Sequence, residues 1–273
     1  ALESIHPSDL SALAIQGLLE RTGIDPEIID DIMWGCVSQV GEQSTNLARN
    51  AALAAGLPES VPGVTVDRQC GSSQQAATFA AAAVMSGQAD VVIAGGVESM
   101  SRVPMFSNAV GGSGPFGPMM LARYPDLVNQ GISAEMIAQR WNLSRGALDE
   151  LAATSQQRAA RARTDGLFID EIVPVRTDAG VVSEDQGIRE GTTVESLAAL
   201  RPAFTEDGVI TAGNSSQISD GSAALLVMEA ERAAALGVQP IARFHSFAMA
   251  GVDPVIMLTG INSIHPIKRL VFF

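Results

Sequence analysis

The chain has 273 residues, 47% of them hydrophobic, enough for one large domain or two ordinary ones. Its 17 basic and 30 acidic residues give a formal net charge of −13, which argues against general binding to nucleic acid or to an anionic membrane surface. Two cysteines, Cys36 and Cys70, supply neither a disulfide framework nor a zinc constellation, and free thiols fit a reducing compartment, so a cytoplasmic location is expected. No stretch reads as a leader, and no apolar run approaches the ~20 residues of a membrane span. Residues 9–21 carry apolar side chains at helical spacing, with Ser8 as the cap and Gly23 as the stop. Asp25-Pro26 opens a short acidic helix leading to a strand at 32–37, in which Cys36 reads as a small core hydrophobe. A helix at 43–57, closed by Gly56 and Pro58, and a strand at 61–66 follow.

The next stretch, VTVDRQCGSSQQAATFAAAAVM at 64–85, runs from a β-branched strand through a polar turn to Cys70 and an alanine-rich helix. A cysteine at such a junction sits where backbone N–H groups lack partners and the helix dipole favours negative charge. Its thiolate is therefore expected to be stabilised, as a nucleophile requires. Gly71 leaves room for a bulky electrophile to approach. The bland alternative is a buried structural cysteine in a turn of small residues.

DVVIAG at 90–95 is a continuous apolar run suited to a doubly covered parallel sheet, and the alternation of helix and strand to this point predicts an α/β core. Gly95-Gly96 lets the following GVESMS turn closely past the carboxyl ends of the strands, the edge where ligands bind in open α/β sheets. From Pro104 the composition shifts to charged helices and loops, predicting an inserted lobe at 104–210. It holds a glycine–proline loop at 111–118, helices at 133–141 and 145–165, and a short strand at 171–175. Arg158, Arg161, Arg163, Arg176 and Arg189 concentrate there, and solvated helix faces account for most of them. Strand and helix patterns return at 208–214 and 222–229, separated by the polar GNSSQISDG, and an alternating strand is predicted at 241–249. The segment 261–273, INSIHPIKRLVFF, lacks a turn or cap and continues no α/β unit.

Five segments together resemble the thiolase family, coenzyme A-dependent acyltransferases that make or cleave 3-oxoacyl thioesters. VDRQCGSSQQA resembles the nucleophile segment, and DVVIAGGVESMSRVP the strand and turn after it. LRPAF at 200–204 and TAGNSSQISDGSAALLVM at 211–228 resemble the return from the family's loop domain, and GVDPVIMLTG closes the similarity near Gly260. The resemblance implies two similar βαβαβαββ halves with an α+β loop domain for coenzyme A inserted in the first. It places the N-terminal half at 1–103 and 211–260, the loop domain at 104–210 and a tail unlike the family at 261–273.

By the same resemblance, Cys70 is the acyl-accepting nucleophile and Ser216 meets the pantetheine arm. Arg189, Ser196, Leu200, Phe204 and Ala212 line the coenzyme site, where Arg189 suits a phosphate in an otherwise acidic chain. Asn129-Gln130 stand where some short-chain biosynthetic members carry His-Met, which leans toward a degradative type. Acyl-CoA and coenzyme A are the implied ligands, a homo-oligomer (dimer or tetramer) the implied assembly, and no metal or covalently bound cofactor is implied.

Thiolytic chemistry also needs a base, a second acid/base and oxyanion donors. The family draws these from its second half: an Asn in N-E-A-F, a His in G-H-P and a Cys in C-x-G-G-G, and none of these motifs occurs in the 273 residues. His6 reads as exposed, His245 as part of a strand, and His265 follows Ile264 where the family motif has glycine. The family's opening strand, central to its sheet and ending in Arg-Thr-Pro, is also not found, which predicts two unpaired strand edges, while the missing second half predicts a large uncovered face. The expectation is a fragment or an interrupted frame with impaired turnover. A non-catalytic remnant that binds coenzyme A or a partner chain is the alternative. A 3-oxoacyl synthase-like enzyme is a second alternative, disfavoured by the inserted lobe.

Overall fold

A computed structural model describes residues 1–259, so His265 and the 261–273 segment lie outside the described residues. The first helix, α1 (Pro7–Thr22), forms where the apolar spacing predicts, burying Leu10 and Ile15, and Gly23 ends it in the left-handed conformation at φ 65°. Its cap is His6 rather than Ser8: the imidazole accepts from the Ser8 N–H at 3.3 Å. Pro7 fills the first helical position, where its missing N–H costs nothing.

Strand β1 (Asp31–Gly35) stops one residue short of Cys36. Helix α2 (Leu47–Ala54) is shorter than the predicted 43–57, because residues 41–43 form a 3-10 turn and Asn46 caps the helix through the Arg49 N–H. Strand β2 (Gly63–Val66) and helix α3 (Ser72–Met85) follow as read from the sequence, whereas strand β3 (Val91–Ser99) does not end at Gly95-Gly96 but runs on to Ser99, because the strand Asp220–Met228 pairs with it to that point. Helices α4 (Pro118–Arg123), α5 (Gln130–Arg140) and α6 (Arg145–Thr164) come next, then a hairpin of β4 (Val175–Thr177) and β5 (Gly180–Val182). Helix α7 (Val194–Ala198), strand β6 (Asp220–Met228) and helix α8 (Ala230–Ala235) come after them.

The fold is mixed α/β. Its main sheet has the order β2-β1-β3-β6, with β2, β1 and β3 parallel and β6 antiparallel to β3 along nine residues. The two unpaired edges expected from a missing central strand do not occur. Strand β1 pairs directly with β3, residues 31–35 against 92–96, so the backbone groups of both strands are satisfied in the core.

Alternate side chains sort to the two faces of this sheet. Ile32, Trp34, Val91, Ile93 and Val97 face the buried sides of α1 and α2. Met33, Val92, Ala94 and Val227 face Ala76, Ala80 and Val84 of α3. Each fully buried Val or Ile contributes about 1.5–3 kcal/mol by leaving water, so the sheet and its three covering helices carry most of the core. The alanines of α3 allow close approach, and glycines at the carboxyl ends of two strands complete it. A methyl group at Gly35 would run into the Ser73 nitrogen and lie 2.5 Å from the carbonyl carbon of Ser72, and one at Gly96 would meet the Ser73 hydroxyl. The start of α3 therefore sits directly on β1 and β3.

Three predicted strands are corrected. At 171–175 only Val175 is in a strand, because the Arg21 guanidinium takes the carbonyls of Glu171 and Ile172, and Val173 packs on Gly17. At 208–214 only an isolated bridge from Thr211 to Pro202 forms, since Glu135 accepts from the Val209 and Ile210 amides and Asn214 from that of Thr211. Residues 241–249 are not in a strand and have no ladder partner among the described residues; Ile241 and Met249 are exposed.

Candidate functional site

Cys70 is exposed and sits one residue before Gly71, the N-cap of α3. The turn from β2 into α3 is held by its own polar side chains. Asp67 accepts from the Gln69 N–H at 2.7 Å, and the Ser72 hydroxyl accepts from the Arg68 N–H at 2.9 Å while donating to the Gln69 carbonyl at 2.6 Å. Gln69 lies in the left-handed region at φ 48°, a conformation that costs a non-glycine residue roughly 1 kcal/mol or more.

At the start of α3 the Ser72 amide bonds the Gln69 carbonyl and the Gln75 amide bonds Gly71. The intervening amides of Ser73 and Gln74 have no acceptor among the described residues. These are the orphan donors of a helix start, three and four positions along the chain from the exposed Cys70. An arrangement of this kind can stabilise an anion that forms on or beside that sulfur. The guanidinium of Arg68 reaches the sulfur of Met249 at 2.8 Å, which brings the 241–249 segment alongside this turn.

Cys36 stands in the opposite situation. It is 1% exposed, and burial pushes its thiol from the ordinary 9.0 up to about 12, with the charges of Glu98 and then Asp67 adding to the shift. Near neutral pH it remains a thiol. Above pH 9 the unfolded chain ionises Cys36 while the folded chain does not, so this residue makes stability fall as pH rises from about 9 toward about 12. Urea midpoints measured across that window should decline more steeply for the native chain than for Cys36→Ala; equal slopes would contradict the assignment.

The turn after β1 is joined to the last two residues of β3 by a network that sequence reasoning missed. Glu98 accepts from the amides of Val37 at 2.9 Å and Ser38 at 3.1 Å and from the Gln43 side chain at 2.9 Å, and Gln43 accepts from the Ser99 amide at 2.8 Å. Gln43 is fully buried. The available signal was an acidic residue, Glu98, closing an otherwise apolar strand.

The six residues assigned to the coenzyme site are all exposed. Leu200 lies over Gly213, where a methyl would come within 2.6 Å of its Cδ1, and so stands next to Ala212. Phe204 rests on Gly131 of α5. The Ser196 hydroxyl is committed to a capping box, accepting from the Thr193 amide and donating to the Thr193 carbonyl. The Arg189 amide is held by Gln156, whereas its guanidinium and the Ser216 hydroxyl have no hydrogen-bond partner among the described residues. Gln217 donates to the Gly187 carbonyl at 2.6 Å, linking the loop of Ser216 to the segment of Arg189. None of the six is hydrogen-bonded to the Cys70 turn.

Four residues not singled out from the sequence hold these segments. Glu135 takes the amides of Val209 and Ile210, both at 2.9 Å. Arg145, Asp149 and Asn214 connect α6 to the end of α7 and to the 209–215 loop. No group of three or more His, Cys, Asp or Glu able to hold a metal ion occurs among the described residues. No helix among them is long and apolar enough to cross a membrane.

A family model described as "Thiolase, N-terminal domain" matches residues 1–231. The chain is 47% identical over 269 residues to "Steroid 3-ketoacyl-CoA thiolase FadA6" of Mycobacterium tuberculosis, covering 95% of this chain and 65% of that protein. It is 42% identical to the "3-ketoacyl-CoA thiolase" of Bacillus subtilis, covering 98% of this chain and 71% of the relative. The "3-oxoadipyl-CoA/3-oxo-5,6-dehydrosuberyl-CoA thiolase" of Escherichia coli is also 42% identical, with coverages of 95% and 70%. The chain thus spans about two thirds of the length of these relatives.

Proposed function

Because the chain belongs to the thiolase family, we propose that it performs the acyl-accepting step of a thiolase, with Cys70 as the nucleophile. The Cys70 sulfur attacks the carbonyl carbon of an acyl-CoA thioester and forms a new carbon–sulfur bond. The bond to the coenzyme sulfur breaks, and the proton lost by Cys70 ends on the released coenzyme A. Amides at the start of α3 stabilise the negative charge that develops on the carbonyl oxygen. The observation that carries this reading is an exposed cysteine two positions before a helix whose Ser73 and Gln74 amides have no acceptor among the described residues, within the segment VDRQCGSSQQA.

In the same proposal, residues 104–210 form the coenzyme-binding lobe. Arg189, Ser196, Leu200, Phe204, Ala212 and Ser216 contact the coenzyme, with Ser216 toward the pantetheine arm. The free guanidinium of Arg189 suits a phosphate group. The setting is a cytoplasmic homo-oligomer, and the apolar Phe79 and Met85, exposed on α3 at 43% and 73%, support burial against another surface. The substrate is a 3-oxoacyl thioester of degradative type; on it the Cys70 sulfur attacks C3, the bond between C2 and C3 breaks, and the proton lost by Cys70 ends on C2 of the released acetyl-CoA.

Mixing the protein with excess acetyl-CoA and following free thiol should reveal a single burst of coenzyme A, about one per Cys70, that is lost in Cys70→Ala. Steady turnover by the 273-residue chain should be little or none, since the N-E-A-F, G-H-P and C-x-G-G-G motifs are not in its sequence. A second reading is a chain that binds coenzyme A or a partner without chemistry. Absence of the burst from the native chain would favour this second reading; a full burst from Cys70→Ala would show that the wrong nucleophile had been assigned.

A further inference from the structure

We propose that Arg145 and Asp149 are positioning residues that set the geometry of the coenzyme-binding surface without touching the ligand. The inference rests on the assignment of Leu200, Ala212 and Ser216 to that surface. Asp149 lies on α6 and is 1% exposed, so its carboxylate needs partners inside the protein. It has two on opposite sides. One oxygen meets Arg145 Nε at 2.7 Å, and the other accepts from the Asn214 side chain at 3.0 Å.

Each partner then grips a segment that carries assigned residues. Arg145 Nη2 donates to the carbonyls of Leu197 at 2.6 Å and Leu200 at 3.0 Å, which caps the end of α7 immediately after Ser196. Asn214 accepts from the Thr211 amide at 2.8 Å and donates to the Val209 carbonyl at 3.0 Å, which fixes the loop containing Ala212. The Ser215 hydroxyl, next to Ser216, closes the loop onto the Thr211 carbonyl at 2.7 Å. One buried carboxylate therefore determines how far the end of α7 stands from the 211–216 loop. Leu197 and Leu200 fill the space between them, against Gly213.

Apolar side chains would fill the same space without the desolvation cost of a buried ion pair. What the polar network adds is direction: the planar guanidinium bonds one carboxylate and two carbonyls at once, an arrangement that a lysine ammonium on a flexible stem does not reproduce. A register fixed in this way is what a surface that recognises one extended ligand requires.

The test compares the full 273-residue chain with Arg145→Lys by three readouts: coenzyme A affinity by calorimetry, the thermal midpoint, and the alkylation rate of Cys70 by iodoacetamide. The lysine keeps a charge beside Asp149 but releases the two carbonyls. The expected result is about a tenfold rise in the coenzyme A dissociation constant, from the loss of charge-assisted bonds. The midpoint should stay within a few degrees of the native value and Cys70 alkylation should be unchanged. If Arg145→Lys does not fold, Asn214→Ser takes its place, since it removes both bonds donated by Asn214.

A variant that binds coenzyme A as tightly as the native chain would overturn the positioning role and leave the site itself standing. A variant whose affinity, midpoint and alkylation all change together would show a purely structural role and also overturn it. A native chain that does not bind coenzyme A would overturn the site assignment and this inference with it.

Discussion

Replacing Gly35 with alanine is expected to lower the unfolding midpoint by roughly 5–10 °C. The added methyl would run into the Ser73 nitrogen and lie 2.5 Å from the Ser72 carbonyl carbon and 2.6 Å from the Ser73 Cα, all of them backbone atoms that cannot swing aside. The start of α3 has no alternative seat, because Gly96 of the neighbouring strand meets the same serine from the other side. Relief requires α3 to lift from the sheet, which opens the contacts of Ala76 and Ala80 with Met33, Val92 and Ala94.

Overpacking of this kind costs about 3 kcal/mol, and each kcal/mol moves the midpoint of a chain this size by roughly 2–4 °C. The displacement begins two residues from Cys70, so the coenzyme A burst should fall along with the midpoint. Gly251→Ala is the control, since a methyl there meets nothing within 4 Å. Thermal melting followed by circular dichroism separates the outcomes. A Gly35→Ala chain that melts with the control would show that α3 is not seated on β1 as described.

Local pattern made much of this fold legible. Helix α1, helix α3 and the start of strand β3 followed from helical spacing, an alanine-rich run and a continuous apolar run, each bounded by glycine or a polar turn. The position of Cys70 followed from the same local grammar, a strand, a turn and a helix within about twenty residues.

The failures arose where distant residues decided the outcome. Arg21, about 150 positions away, takes the carbonyls that a strand at 171–175 would have used. Glu135 does the same for the amides near 210. The alternation at 241–249 is a strand pattern without a neighbouring strand to complete it among the described residues. Pairing of β1 with β3 was not legible either, because neither sequence says which strand lies beside it.

The candidate site divides along the same line. Cys70 could be read from its flanks, whereas Asp149 could not. Arg145 and Asp149, four apart on a helix, look in sequence like an ordinary solvated pair. Only the arrival of α7 and the 209–215 loop turns that pair into a buried junction. The residues proposed for the coenzyme site came from likeness to the thiolase family, and all six are exposed.

The central claim is that the exposed sulfur of Cys70 accepts an acyl group while the buried sulfur of Cys36 does not. The effect expected is all or none: Cys36 is sealed in the core with its thiol held protonated, whereas Cys70 is exposed just ahead of α3. The most direct measurement is to incubate the native chain with acetyl-CoA near neutral pH, quench in acid, digest, and locate acetyl groups by tandem mass spectrometry. The expected result is acetyl on the Cys70 peptide, none on the Cys36 peptide, and no label anywhere in Cys70→Ser. Acetyl on Cys36 with Cys70 unmodified, or an unlabelled native chain, would contradict it.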